Sequence, residues 1–127
     1  KAYLPVLTRL VESLSEKMSP DDLELLLRAV GERLAKEQPS LSGTLRQRTE
    51  AAAAVLTSLG GLAEVEEDDT MLVIRGFSCP LADAVRLHPA TCNAAQGLVS
   101  ELVGVQVREA CDKGARPRCR FEIDKAS

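Results

Sequence analysis

The pattern of apolar residues changes its period at Gly60 and Gly61, and this change constrains the fold more than any other feature of the sequence. Before it, apolar residues recur every three or four positions, as on amphipathic helices. After it, they form short alternating runs that are typical of strands. We therefore predict an α+β fold, in which about three N-terminal helices are followed by a β-hairpin, two short helices and a second β-hairpin that together form a small antiparallel sheet.

The first part of the chain is predicted to form three helices. They cover about residues 3–18, 20–36 and 41–59. Ser19 can cap the second helix, and Pro20 suits its first helical position. Gly31 lies inside that helix, where we expect it to allow close packing against a neighbouring element. Gly60 and Gly61 are expected to end the third helix with a left-handed residue.

The second part is predicted to contain two hairpins separated by two short helices. The first hairpin pairs about residues 62–66 with 71–75, and the two helices cover about residues 80–87 and 91–103. The second hairpin pairs about residues 105–112 with 118–124. The last hairpin can be checked for a consistent register. If its turn is centred on Ala115, three pairs of residues face each other: Arg108 and Glu122, Val107 and Ile123, and Cys111 and Cys119.

A chain of 127 residues is predicted to be one domain, residues 1–127, with a helical part over 1–60 and a cysteine-containing α+β part over 61–127. A net charge of −3 gives it no electrostatic surface for nucleic acid. Because it begins with Lys1 and has no long apolar run, we expect a piece of a longer cytoplasmic protein. With one histidine and no Gly-rich phosphate loop, we expect no enzymatic activity.

All four cysteines lie in the second part, at Cys79, Cys92, Cys111 and Cys119. In a reducing cytosol such a set favours metal or redox chemistry over disulfides. The first two are predicted at helix starts, which favour thiolate, and the last two face each other on the hairpin. We predict a four-sulfur metal site, with His88 as a reserve ligand. A redox pair on the hairpin alone and four inert core thiols are the alternatives.

Several segments of the chain carry a resemblance to a known family: residues 59–65, 73–81, His88 and Pro89 with Cys92, residues 102–105, residues 118–123 and, less specifically, residues 27–35. They resemble bacterial winged-helix transcriptional regulators of the ArsR/DeoR-like kind, in particular the SufR type that represses iron–sulfur assembly operons.

This resemblance implies an effector and dimerisation domain that follows a DNA-binding winged helix, which is missing here. Cys79, Cys92 and Cys119 match the cysteine motif, and Cys111 completes the set that would bind an iron–sulfur cluster, with 4Fe-4S as one form and zinc or no cofactor as alternatives. The chain would form a homodimer through its N-terminal helices, contact DNA only through the missing domain and contact no membrane. The alternative is a dimerisation or small-molecule-binding module with structural cysteines.

Overall fold

The computed structural model describes residues 3–39, 42–77, 84–85, 88–112, 116 and 118–126. Within these residues it has four α-helices and one four-stranded antiparallel sheet, so the predicted α+β class is confirmed. The elements are α1 (Tyr3–Lys17), α2 (Pro20–Lys36), α3 (Leu45–Ser58), β1 (Ala63–Glu67), β2 (Met71–Gly76), α4 (Cys92–Val103), β3 (Arg108–Glu109) and β4 (Arg120–Asp124).

The ends of the helices follow from local hydrogen bonding. At the start of α2, the backbone N–H of Asp22 donates to Ser19 Oγ at 3.2 Å, as the predicted cap requires. Helix α3 begins at Leu45, later than predicted, because Thr44 and Gln47 form a reciprocal capping box there. Gly60 follows the end of α3 with φ of 101°, which confirms the predicted left-handed stop.

Where it is described, the segment between the two hairpins is helical apart from His88. Ala84 and Val85 are helical and buried, but the rest of the helix predicted over residues 80–87 lies outside the described residues. A 3-10 turn, Pro89–Thr91, leads directly into α4, which therefore begins at Cys92 rather than Thr91. Gly104 ends α4 with φ of 80°.

The sheet has the strand order β1-β2-β4-β3, so β2 and β4 form its centre. The pairing of Arg108 with Glu122 confirms the predicted register of the last hairpin. A further bridge between Asp112 and Arg118 continues the same register and leaves Cys111 opposite Cys119. Strand β3 itself is shorter than the predicted segment over residues 105–112.

One face of this sheet packs against α3 and α4 and forms the main core. Its largest fully buried side chains include Phe121, Leu56, Leu72, Ile74 and Ile123. The scarcity of aromatic residues, one Tyr and two Phe, means that aliphatic side chains fill most of this space. Both parts of the chain contribute to the same core cluster, so the helices and the sheet stabilise each other.

Helices α2 and α4 cross with their backbones in contact, at Gly31 and Gly97. A Cβ atom on Gly31 would overlap the carbonyl oxygen of Ala94, and one on Gly97 would overlap the carbonyl oxygen of Arg28. The predicted role of Gly31 in close packing is therefore confirmed. Beside the crossing, Arg28 Nη2 donates to Gln96 Oε1 at 3.0 Å and fixes the rotation of one helix against the other.

Helix α1 is attached to this body by a smaller, separate apolar cluster. Val11 of α1 packs with Leu23 and Leu27 of α2, and Leu7 and Leu14 pack partly against them. Thr8 of α1 is also buried, whereas Tyr3, Val6 and Leu10 are exposed.

Among the described residues, charged side chains cover the outer face of the sheet. Glu122 is the centre of this charge network: its carboxylate accepts from Arg108 Nε at 2.7 Å and from Arg120 Nε at 3.0 Å. The hydrogen bond from Arg108, followed by that from Arg120, lowers the pKa of the Glu122 carboxyl below its usual value.

Replacing Gly31 by Ala should destabilise the protein by about 3 kcal/mol, because the new methyl group overlaps rigid backbone of α4. At an exposed helical position the same change would stabilise the protein by about 1 kcal/mol. A destabilising effect would therefore show that overlap at the helix crossing outweighs the higher helix propensity of Ala. Urea unfolding measures the change. Arg33→Ala, on the exposed face of α2, is the control and should stay within about 0.5 kcal/mol of the unmodified protein.

The lowered pKa of Glu122 predicts a contribution to stability that depends on pH. A carboxyl whose pKa is lower in the folded state stabilises the fold above its unfolded pKa, and this contribution is lost as the pH falls below about 4.5 and through the folded pKa. Unfolding midpoints measured from pH 7 to pH 3 should therefore fall less steeply in Glu122→Gln than in the unmodified protein. Parallel slopes would contradict the prediction, and Glu64→Gln on exposed β1 serves as the control.

Candidate functional site

The described cysteines lie on three different elements. Cys92 is the first residue of α4 and is only 2% exposed. Cys111 follows β3 and is half-buried, and Cys119 precedes β4 and is buried in the main core. Cys79, the fourth predicted ligand, lies outside the described residues.

The structure brings Cys92 and Cys111 together with a carboxylate that the sequence reasoning missed. The two sulfur atoms and an oxygen of Glu109 all lie within 4.8 Å of one another. Among the described residues, neither Cys119 nor His88 belongs to this group of three. We call Cys92, Glu109 and Cys111 the Cys–Glu–Cys cluster.

Backbone hydrogen bonds hold two members of the Cys–Glu–Cys cluster in place. The N–H of Arg120 donates to the Cys111 sulfur at 3.2 Å. The N–H of Cys111 in turn donates to Glu109 Oε2 at 2.7 Å, which orients the carboxylate. Two sulfur atoms and one carboxylate oxygen are a ligand set that zinc accepts.

A signal for Glu109 was present in the sequence. Side chains two residues apart on a strand point to the same face, so Val107, Glu109 and Cys111 share the side that faces the core. Val107 is buried, as this alternation requires. An acidic residue between two inward-facing positions is unusual and marks Glu109 as a candidate ligand.

A second candidate site is the apolar surface that α1 leaves exposed. Tyr3, Val6 and Leu10 recur at helical spacing along one side of α1, next to the stripe of Leu7, Val11 and Leu14, and Val6 and Leu10 are 66% and 54% exposed. A shallow groove runs along this side and is lined by Pro5, Val6, Arg9, Leu10 and Ser13. We call Tyr3, Val6 and Leu10 the α1 surface.

Helix α2 also carries two apolar stripes. The first, Leu23, Leu27, Gly31 and Ala35, is buried against α1 and the core. The second consists of Leu26, Val30 and Leu34, which follow at steps of four residues and are each more than a third exposed. Exposed apolar residues that line up along a helix indicate a surface for another helix or for a groove.

These features define a small α+β protein with an enclosed core and helices whose second apolar faces are uncovered. The family model for the D subunit of cellulose synthase matches residues 2–106, which is most of the chain. The chain therefore belongs to this cellulose synthase D-subunit family. No curated protein matches it closely enough to add a relative.

This family match overturns the resemblance to winged-helix transcriptional regulators of the SufR type. The predictions that depended on this resemblance are therefore wrong. They are the sensor function, the role in transcription regulation, the homodimer of a regulator and the contact with DNA through a missing domain. Part of the resemblance rested on short segments that serve general structural needs. Gly60 and Gly104, for example, supply the positive φ that ends a helix before a strand, which many unrelated α+β chains require.

Two further expectations concern a membrane-spanning helix and a cofactor. Within the described residues, no helix is both long and apolar enough to cross a membrane. The predicted cofactor, an iron–sulfur cluster with zinc or no cofactor as alternatives, stays a prediction, as does the four-cysteine ligand set.

Proposed function

We propose that this protein is a component of a cellulose synthase complex and that it contributes by binding another component rather than by catalysis. The observation that carries the proposal is the match of residues 2–106 to the cellulose synthase D-subunit family. The absence of a catalytic role is a prediction from the sequence, which has one histidine and no Gly-rich phosphate loop. The predicted cytoplasmic location also stays a prediction, and fractionation of producing cells tests it.

The α1 surface supports a role in assembly. Helix α1 packs on α2 through the small cluster around Val11, while Val6 and Leu10 remain in water. Burying each of these two side chains in a partner would contribute about 1.5–3 kcal/mol. Anchors at positions i and i+4 of one helix are the pattern by which amphipathic helices bind apolar grooves.

The charges around the α1 surface fit the rim of such a contact. Arg9 borders the groove, and its guanidinium forms an exposed ion pair with Glu12 at 2.8 Å. Polar residues around an apolar centre are the usual arrangement of a protein–protein interface. The occupant we propose is an apolar helix or groove on another component of the complex.

The double change Val6→Asp with Leu10→Asp should abolish the contribution of the protein to cellulose production. Two carboxylates in a desolvated contact weaken binding by about 100-fold or more. The test uses cellulose-producing cells that lack their own copy of the gene, and it measures cellulose after each variant is supplied. The unmodified chain should restore production, and the double variant should accumulate to a similar level without restoring it.

Leu62→Asp is the matched control, since it places a carboxylate at an exposed leucine outside α1 and α2. Leu62 is 62% exposed and has φ of 47°, a conformation that Asp adopts more readily than Leu. This variant should restore production fully. If loss of the gene leaves cellulose production unchanged, the proposed function is wrong. If the double variant restores production, the α1 surface is not the contact.

A further inference from the structure

We propose that Cys92, Glu109 and Cys111 form a binding site for zinc. This inference is independent of the proposed function. The family match ends at residue 106, so two of the three ligands lie beyond the part of the chain that it covers.

The separation of the ligand atoms fits a zinc ion after a small adjustment of the side chains. Tetrahedral zinc binds sulfur at about 2.3 Å and carboxylate oxygen at about 2.1 Å, which places its ligand atoms about 3.6–3.8 Å apart. In the Cys–Glu–Cys cluster all three atoms already lie within 4.8 Å of one another. Zinc binding would therefore shorten these separations by up to about 1 Å, and side-chain rotation of Glu109 and Cys111 is the adjustment that we propose.

The three ligands come from rigid supports. Cys92 begins α4, which the backbone contact at Gly31 and Gly97 fixes against α2. On the hairpin, the Arg120 N–H bonds to the Cys111 sulfur and the Cys111 N–H bonds to the Glu109 carboxylate. Such bonds to ligand atoms are the support that metal sites in proteins commonly use.

An ordinary structural role explains the Cys–Glu–Cys cluster less well. An inward-pointing charge on an edge strand can prevent pairing with another chain, and a buried cysteine can serve as a small apolar residue. Neither role requires the carboxylate of Glu109 to converge on two sulfur atoms. Binding of a divalent cation would release the thiol protons and bring the positive charge into contact with the carboxylate and both sulfur atoms.

Zinc at this position would join the beginning of α4 to the edge of the last hairpin. Strand β3 itself is only two residues long, and backbone hydrogen bonds from Ala110 to Arg120 and between Asp112 and Arg118 continue the hairpin toward its turn. Three protein ligands leave one position of tetrahedral zinc for water or for a ligand from another molecule. The first effect we expect from zinc is therefore a more stable hairpin.

The test is a metal titration of the purified full chain after treatment with a chelator under reducing conditions. One equivalent of Zn²⁺ should bind and raise the thermal unfolding midpoint by about 5 °C. Co²⁺, used as a spectroscopic substitute, should give the intense near-ultraviolet absorption of thiolate bound to cobalt, and Zn²⁺ should displace it. No such absorption, together with an unfolding midpoint that zinc leaves unchanged, would overturn the proposal.

Variants assign the ligands. Cys111→Ser and Glu109→Gln, both at half-buried positions, should keep the fold and weaken zinc binding by about 10-fold or more. Cys92→Ala preserves a small apolar residue at the buried position and should lose the zinc-induced rise of the midpoint. Cys119→Ala is the control and should bind zinc like the unmodified chain. Loss of binding in Cys119→Ala with full binding in Glu109→Gln would replace this site with an all-sulfur one.

Discussion

The contact between the backbones of α2 and α4 is the constraint on which the rest of the structure depends. Gly31 and Gly97 remove the two side chains that would hold the helices apart, so each backbone enters the surface of the other. This crossing fixes the direction of α4, which presents Leu98, Val99 and Val103 to the core beneath the sheet. It also determines where Cys92, the first residue of α4, lies relative to the last hairpin. A helix pair separated by ordinary side chains would displace both the core residues and that cysteine.

The same crossing explains why the N-terminal helices keep apolar residues in water. Helix α4 packs on the glycine-containing side of α2, and α1 packs on its beginning through Val11. The stripe of Leu26, Val30 and Leu34 therefore stays more than a third exposed. The α1 surface is left exposed in the same way. A component of a larger complex needs such residues because folding alone does not bury them, and their burial can then stabilise the assembly. The family match and the exposed apolar residues of the helices therefore both support the proposed role in assembly.

Local sequence patterns predicted much of the fold because they reflect interactions between residues that are close along the chain. The register of Arg108 with Glu122 followed from the turn, and the stop at Gly60 followed from the need for a left-handed residue. The start of α3 was predicted too early although Thr44 and Gln47 carry the spacing of a capping box. The likeness to winged-helix regulators was wrong because it rested on short separate segments, several of them turns and helix ends, and not on similarity over the whole chain. Such segments recur wherever a helix meets a strand.

The sequence by itself determined the α+β class, the helix and strand periods and the pairing inside the last hairpin, since each depends on residues that are near neighbours along the chain. Only the tertiary structure decided which cysteines meet, because the position of Cys92 against Glu109 and Cys111 depends on how α4 packs on α2 and on the sheet. It also decided which of two apolar stripes on α2 is buried. Periodicity marks both stripes, but the stripe that contains Gly31 can approach the backbone of α4, and that contact selects it for burial.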